Sequence, residues 1–306
     1  MNRSRFRSAG MYLVQRTAVM SVIVVAIVLT VFVVSETGRS GGTAPAWETV
    51  RRGLVSTVDY IVSVAQGDLG LTAAQRPVAD VLVRTFPKSL GLLIAALLTA
   101  TAVGLPVGIL AALRRHSPLS RGLLALSTVG ISAPSFFIAM LLVISEVTFY
   151  RQTGVRVVFV YGFGWDRHLV LPTLVLAAQP AAAISRLTFL ALTDVLERDY
   201  VRTARAKGLL PRVVLVRHIL RNAAIPLLTA IGVSLRLSLT ILPVVEFFFS
   251  WPGVGLALLG AIRAFDTSLV TALVLSLAIT FLVIHLLLDI SYRALDPRIR
   301  ESSRAV

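Results

Sequence analysis

The 306-residue chain is 56% apolar, carries a formal net charge of +15 and contains no cysteine. Such a composition excludes an ordinary soluble domain, and the missing thiols exclude disulfides and thiolate metal sites. In a soluble protein this charge would suggest nucleic acid; here the arginines gather in alternate connections between apolar runs, as membrane topology requires, so no nucleic-acid partner is expected.

At roughly 20 residues per helix crossing about 30 Å of hydrocarbon, six spans are predicted, near 11–34, 88–113, 122–149, 169–192, 224–249 and 268–291. The expected fold is therefore an all-α integral membrane protein of six transmembrane helices embedded in the lipid bilayer. Arg3, Arg5 and Arg7 precede the first span. That basic start, the apolar run and the Ala44–Ala46 triplet look like a secretory signal, but the run is too long and ends at Val34, well before the triplet. An uncleaved signal-anchor is the better reading.

The connection from 35 to 87 mixes both charge signs and divides into three parts: a Gly/Ser/Thr-rich stretch, an amphipathic helix over Trp47–Ala65 and a turn at Gly67–Gly70. Val55, Val58, Ile61, Val62 and Ala65 recur at helical spacing and form one apolar face, suited to lying on the membrane or on the other spans. Residues 1–87 are read as an N-terminal anchor and connection, and 88–306 as the transmembrane domain proper. In the second span Gly104 and Gly108, four apart, permit either a close helix crossing or a merely flexible helix. Arg114, Arg115 and Arg121 follow it. Pro134, with Ser135 beside it, and Pro172, Pro180 and Pro243 lie within or at the mouths of spans, where kinked helices with freed carbonyls can line a water-filled route.

The fourth connection, 193–223, is the most basic, with Arg198, Arg202, Arg205, Lys207, Arg212, Arg217 and Arg221. Gly208 can end one short helix and Pro211 can start the next. Ala204 and Gly208, four apart, would leave a small face for a neighbouring helix, and Leu209, Leu210, Val213, Val214 and Val216 are available to pack. Arg293, Arg298, Arg300 and Arg304 follow the last span. The positive-inside bias then places this connection and both termini in the cytoplasm.

Arg236 lies near the middle of the fifth span, where a charge costs on the order of 2.5–3.5 kcal/mol on insertion scales. Two readings stand: a cation on a translocation path that meets a substrate carboxylate, or half of a buried pair with Glu146, Glu246 or a partner's carboxylate. Glu246, nearer the outer end, is a further path candidate, with an interfacial structural role the safer reading. His285 and Asp289 share a face of the last span, but two ligands make a poor metal site, and Asp289 is expected to pair with Arg293.

The string TARAKG (Thr203–Gly208) followed by RHILRNAAIP (Arg217–Pro226) resembles the cytoplasmic coupling loop of the permease subunits of dipeptide and oligopeptide ABC importers. GISAPSFF at Gly130–Phe137, LPTL at Leu171–Leu174, FFFSWPGVG ending at Gly255 and YRALDPRIR at Tyr292–Arg300 fall where that family has them. Coverage is nearly complete from Gly67, and the large connection after the first span is similar to the B-type subunit. One departure is VSETGRSGG, where the family usually carries an Ala-Pro-Gly-Asp-Pro-like turn. The permease signature's usual leading Glu is replaced by Arg202, as is typical of the peptide branch of the family.

The resemblance implies a type I ABC importer permease fold and a pore shared with a second homologous permease as a heterodimer. It further implies two cytoplasmic ATP-binding subunits and an extracytoplasmic substrate-binding protein. Thr203, Ala204, Arg205, Lys207, Gly208, Leu209, Arg217, His218, Arg221 and Asn222 would be the ATPase-coupling residues, and Glu246 matches the family's acidic residue before the WPG turn. No phosphate-cradling Gly-x-x-x-x-Gly-Lys-Ser/Thr loop occurs, so ATP and Mg are expected in the partner subunits, this chain being a pore subunit and not an enzyme. Peptides are the expected substrates; haem, nickel chelates or glutathione would use the same machinery. An ion-driven secondary transporter would want intramembrane carboxylates and an internal repeat, neither of which is convincing here.

Overall fold

The computed structural model describes residues 3–39, 41, 43 and 45–295, with side chains described from Thr17's successor Ala18 onward except at 289 and 292–295. The elements in order are α1 (Arg3–Arg39), α2 (Ala46–Ala65), α3 (Val78–Leu113), α4 (Pro118–Ser132), α5 (Ser135–Thr153), α6 (Val170–Leu196), α7 (Asp199–Ala206), α8 (Pro211–Val213), α9 (Arg221–Phe248), α10 (Val254–Arg263) and α11 (Thr267–Leu295). A π-helical stretch, Val214–Leu220, joins α8 to α9 without a break. Among the described residues, six helical stretches are long and apolar enough to cross a membrane.

Three expectations change. The apolar run 122–149 is not one helix: α4 ends at Ser132, Ala133 is extended and α5 starts at Ser135. The proline ring disfavours helical angles at the residue before it, which is why the break falls there. With 15 residues, α4 is about 22 Å long and too short to span, whereas α5 qualifies. The fifth span also starts much earlier than 224, because Pro211–Phe248 is continuous over 38 residues. At about 57 Å it must extend well beyond some 30 Å of hydrocarbon. Likewise α1 runs past Val34 to Arg39, its last turn held by the Arg39–Glu36 ion pair at 3.0 Å.

The chain divides into two compact units, Met1–Pro87 with Val254–Val283 and Lys88–Gly253 with Ile284–Val306. In the first, α1 and α2 pack together, and the backbone of Gly53 lies against Val33. Asp266 closes the turn before α11 by accepting from Ala73 N at 2.6 Å and Leu269 N at 3.1 Å. Val254, Ala261 and Leu273 form an apolar cluster with Leu82 and Phe86.

In the second unit α6 is the most buried helix and packs on α4, α5 and α9. Leu92, Leu176, Ile184, Leu242, Phe249 and Trp251 make its core. Both open glycines of α3 are contact points: a Cβ on Gly104 would strike Ala181 O and Ile184, and one on Gly108 would strike Ser185 O and Thr188. The close-crossing reading therefore holds for this pair. Polar bonds tie α6 to two other neighbours, from Ser127 Oγ of α4 to Ser185 Oγ at 3.2 Å and from Ser234 Oγ of α9 to Pro180 O at 3.3 Å.

Candidate functional site

The basic connection folds as a single short helix followed by the long one. α7 begins with Asp199, whose carboxylate suits a helix N-terminus, and it ends in a Schellman turn: Gly208 N donates to Arg205 O at 2.9 Å and Leu209 N to Ala204 O at 3.4 Å. Gly208 takes φ +72°, and a Cβ there would meet nothing within 4 Å. The glycine thus serves the turn and not a packing face. Ala204 is different: it is 5% exposed and clusters with Val201, Val214, Ile219, Leu192 and Ala112. The expected shared small face of Ala204 and Gly208 does not form, because Gly208 lies beyond the end of α7.

That cluster seats α7 and the π-helical stretch on the ends of α3 and α6 and turns the basic side chains outward. Arg205, Lys207, Arg212, Arg217 and Arg221 are exposed and have no ion-pair partner among the described residues. Leu209, Leu210, Val213 and Val216 are exposed beside them, Leu210 at 70%; only Val214 of the predicted packing set is buried. Thr203 and Asn222 bond locally, Thr203 Oγ1 to Asp199 O at 3.0 Å and Asn222 Nδ2 to His218 O at 2.5 Å. A π-helical stretch leaves its carbonyls poorly matched to the next turn, and Asn222 satisfies one of them. The result is a cationic knob with exposed apolar side chains at its tip.

The other candidates gather at one level of the second unit. Gln179 Nε2 donates to Ala133 O at 2.7 Å, satisfying the carbonyl freed at the α4–α5 break beside Pro134 and Ser135. One residue on, Pro180 O receives Ser234 Oγ from α9, and Arg236 follows two residues later. Arg236 is exposed, on a stripe with Thr229, Val233, Leu237, Thr240 and Val244. It makes no ion pair with either expected intrachain carboxylate: Glu146 Oε1 accepts from Val157 N and Val158 N at 3.0 and 3.2 Å, and Glu246 Oε1 accepts from Ser89 Oγ at 2.5 Å.

Glu246 is enclosed by protein. It is 0% exposed and wedged against Gly253, where a Cβ would overlap its carboxylate. Its surroundings hold a group of residues that the sequence reading missed, the loop 154–169. Trp251 Nε1 donates to Lys88 O at 3.1 Å, Phe163 and Trp165 meet the Trp251 ring edge-on, and Lys88 Nζ sits 4.6 Å from the Phe163 centroid. The aromatic-glycine alternation Tyr161–Trp165 was the available signal, since Gly162 takes φ +104° and donates its N–H to Phe249 O. In this loop the backbone N–H and then the ring of His168 hold the Asp166 carboxyl below its ordinary range. Of the remaining candidates, the side chains of Asp289 and Arg293 and all of Asp296–Arg300 lie outside the described residues.

Residues 104–301 match the family described as "Binding-protein-dependent transport system inner membrane component". The chain belongs to this family. It is accordingly an inner membrane component of a binding-protein-dependent transport system, a multi-pass permease subunit. Among its relatives is the dipeptide transport system permease protein DppB of Escherichia coli (strain K12), 36% identical over 268 residues that cover 79% of each protein. Another is the glutathione transport system permease protein GsiC of Escherichia coli O6:H1 (strain CFT073), 37% identical, covering 79% of this chain and 78% of that one. A chain of the inward-facing MetNI methionine ABC transporter shares the fold, with a TM-score of 0.57 and 19% identity over 71% of this chain and 96% of that one. The family match takes in α7, the π-helical stretch and Arg236, and leaves α1 and α2 outside it.

Proposed function

We propose that this permease forms half of the translocation pore of an ATP-driven importer of short peptides. A second homologous permease completes the pore, two ATP-hydrolysing subunits with their ATP and Mg supply the energy, and an extracytoplasmic binding protein delivers the substrate. Identity to DppB at 36% over most of both chains carries the peptide assignment. The comparable likeness to GsiC favours a second reading, glutathione, which is itself a peptide bearing free carboxylates. Arg236, two residues along α9 from the Ser234 that bonds Pro180 O, is the group proposed to meet such a carboxylate. The arginine bias puts α7 and both termini in the cytoplasm, so the knob of Thr203–Leu209 with Arg217, His218, Arg221 and Asn222 faces the ATPases.

Gly208→Leu tests the coupling role without loading the core. The Cβ of a leucine would meet no atom within 4 Å but would resist the left-handed backbone angle, at about 1–2 kcal/mol, and so shift the turn that aims the cations. In proteoliposomes holding the whole transporter, the variant should insert and pair with the other permease. ATP hydrolysis should lose its stimulation by loaded binding protein, and uptake should fall at least about tenfold, equivalent to ~1.4 kcal/mol. Wild-type stimulation together with wild-type uptake would remove the coupling assignment.

A further inference from the structure

Helix α2 is divided into three sectors, and only two of them have a partner. At 100° per residue, Thr49, Gly53, Thr57 and Tyr60 share an arc of about 80°. This is the arc that meets α1: Thr49, Gly53 and Thr57 are buried, and the Tyr60 ring lies edge-on to Phe32 with centroids 5.8 Å apart. Burial there pushes the Tyr60 hydroxyl up to about 12. A second arc carries Glu48, Arg52, Ser56 and Asp59, is polar, and contains the Glu48–Arg52 ion pair. The third, about 120° wide, carries Trp47, Val50, Leu54, Val58, Ile61 and Val62. All six are exposed, Trp47 at 69% and Val58 at 59%. The apolar face expected from the sequence is therefore turned away from α1, which is gripped by small residues instead.

The position of α2 along α1 says what covers this face. The helix meets Phe32 and Val33, the last residues before the apolar run of α1 ends at Val34, and the Glu36–Arg39 ion pair follows one turn later. Arg39 reaches Thr267 Oγ1 at 3.3 Å, so the first residue of another span stands at the same level. A helix anchored there lies where hydrocarbon gives way to water. On α1 itself Val22, Ile23, Val25 and Val34 are also exposed apolar side chains. Arg51, the one charge inside the apolar arc, has no ion-pair partner among the described residues and stands four residues after Trp47. An indole and a guanidinium one turn apart suit the headgroup level, where the ring spans the polarity gradient and the cation meets phosphate.

We propose that α2 is an interfacial lipid-binding helix, its Trp47–Val62 face sunk among acyl chains and Arg51 bonded to a lipid phosphate. The helix thereby clamps the outer end of α1 to the bilayer surface while its Glu48–Asp59 sector stays in water. This depends on the membrane assignment of the family and not on the substrate or the direction of transport.

The absence of cysteine makes the test free of background labelling. Single variants Leu54→Cys, Val58→Cys, Ser56→Cys and Asp59→Cys, made in the full chain, would each carry an environment-sensitive nitrobenzoxadiazole label. Each would be reconstituted in phosphatidylethanolamine–phosphatidylglycerol vesicles, alone and with the partner subunits. Lipids with a doxyl group near the headgroup end of the acyl chain should quench the labels at 54 and 58 several-fold more than those at 56 and 59. Aqueous iodide should show the reverse order. Equal iodide quenching at all four sites would overturn the proposal by placing the face in water. Shielding of 54 and 58 from both quenchers in the assembled transporter would overturn it in favour of a protein partner.

Discussion

Among the described residues, four helices close with the same hydrogen-bonded turn, with glycine, serine or phenylalanine in its left-handed position; α2 uses Gly67 at φ +84°, where Asp68 N donates to Ser63 O at 2.9 Å. α7 uses Gly208 at φ +72°, α9 uses Ser250 at +53° and α10 uses Phe265 at +53°. In the last two, Trp251 N donates to Glu246 O at 2.8 Å and Asp266 N to Ala261 O at 3.0 Å, the same six-to-one bond that Leu209 makes to Ala204. A residue with a Cβ resists this angle by about 1–2 kcal/mol, partly offset by the greater freedom that glycine has in the unfolded chain. Ser250→Gly and Phe265→Gly should therefore each stabilise the protein by about 0.5–1 kcal/mol, and Gly208→Ala should destabilise it by a similar amount. Thermal midpoints in detergent followed by tryptophan fluorescence would show this, with Trp251 next to the first site; a lowered midpoint for both glycine variants would refute it. Only Gly67 and Gly208 were legible beforehand, because glycine advertises the turn. Serine and phenylalanine carry no such mark, and tertiary bonds around Trp251 and Asp266 hold them in place.

At the scale of elements, hydropathy located every span but could not see what each helix touches. The run 122–149 hid a break because an Ala-Pro step is compatible with a kinked helix as well as with two helices. What decided it was Gln179 of α6, 46 residues away, whose amide satisfies the freed Ala133 carbonyl. The join of the basic connection to the fifth span was missed for the opposite reason: RHILRN is too polar to look like part of a span, yet a helix of 38 residues reaches out of the bilayer to include it. Gly104 and Gly108 left two readings open until Ser185 and Thr188 were found across from them. That contact gives a prediction of opposite signs. Gly122→Ala, with nothing within 4 Å of the new Cβ, should stabilise α4 by about 0.5–1 kcal/mol through helix propensity. Gly108→Ala should instead destabilise by about 1–3 kcal/mol, because its Cβ would sit 2.5 Å from a backbone carbonyl that cannot swing aside. Equal thermal shifts for the two variants would mean that α3 and α6 are not in close contact.

For the molecule as a whole, the residue least at home in its surroundings is Arg236. Its stripe on α9 is otherwise Thr229, Val233, Leu237, Thr240 and Val244, and no carboxylate among the described residues reaches it. A guanidinium at mid-span needs water or an anion, at a cost otherwise on the order of 2.5–3.5 kcal/mol. On the proposed path that anion is the substrate's carboxylate, and the partner permease is the competing source. The two differ in what a neutral side chain would do. If the substrate supplies the anion, Arg236→Leu inserts more readily, assembles with the second permease and keeps basal ATP hydrolysis. Uptake of a short peptide, measured with the binding protein saturated, then falls about tenfold, the ~1.4 kcal/mol expected at the low end for a charge-assisted hydrogen bond. An amidated peptide sharpens the test because it lacks the terminal carboxylate: the wild type should move it more slowly than the free acid, and Arg236→Leu should move both alike. Arg236→Lys, which keeps charge but loses the two-pronged geometry, should fall between them. Should Arg236→Leu instead fail to pair with the second permease, the arginine is an assembly residue held by a partner carboxylate, and the substrate contact is lost with it.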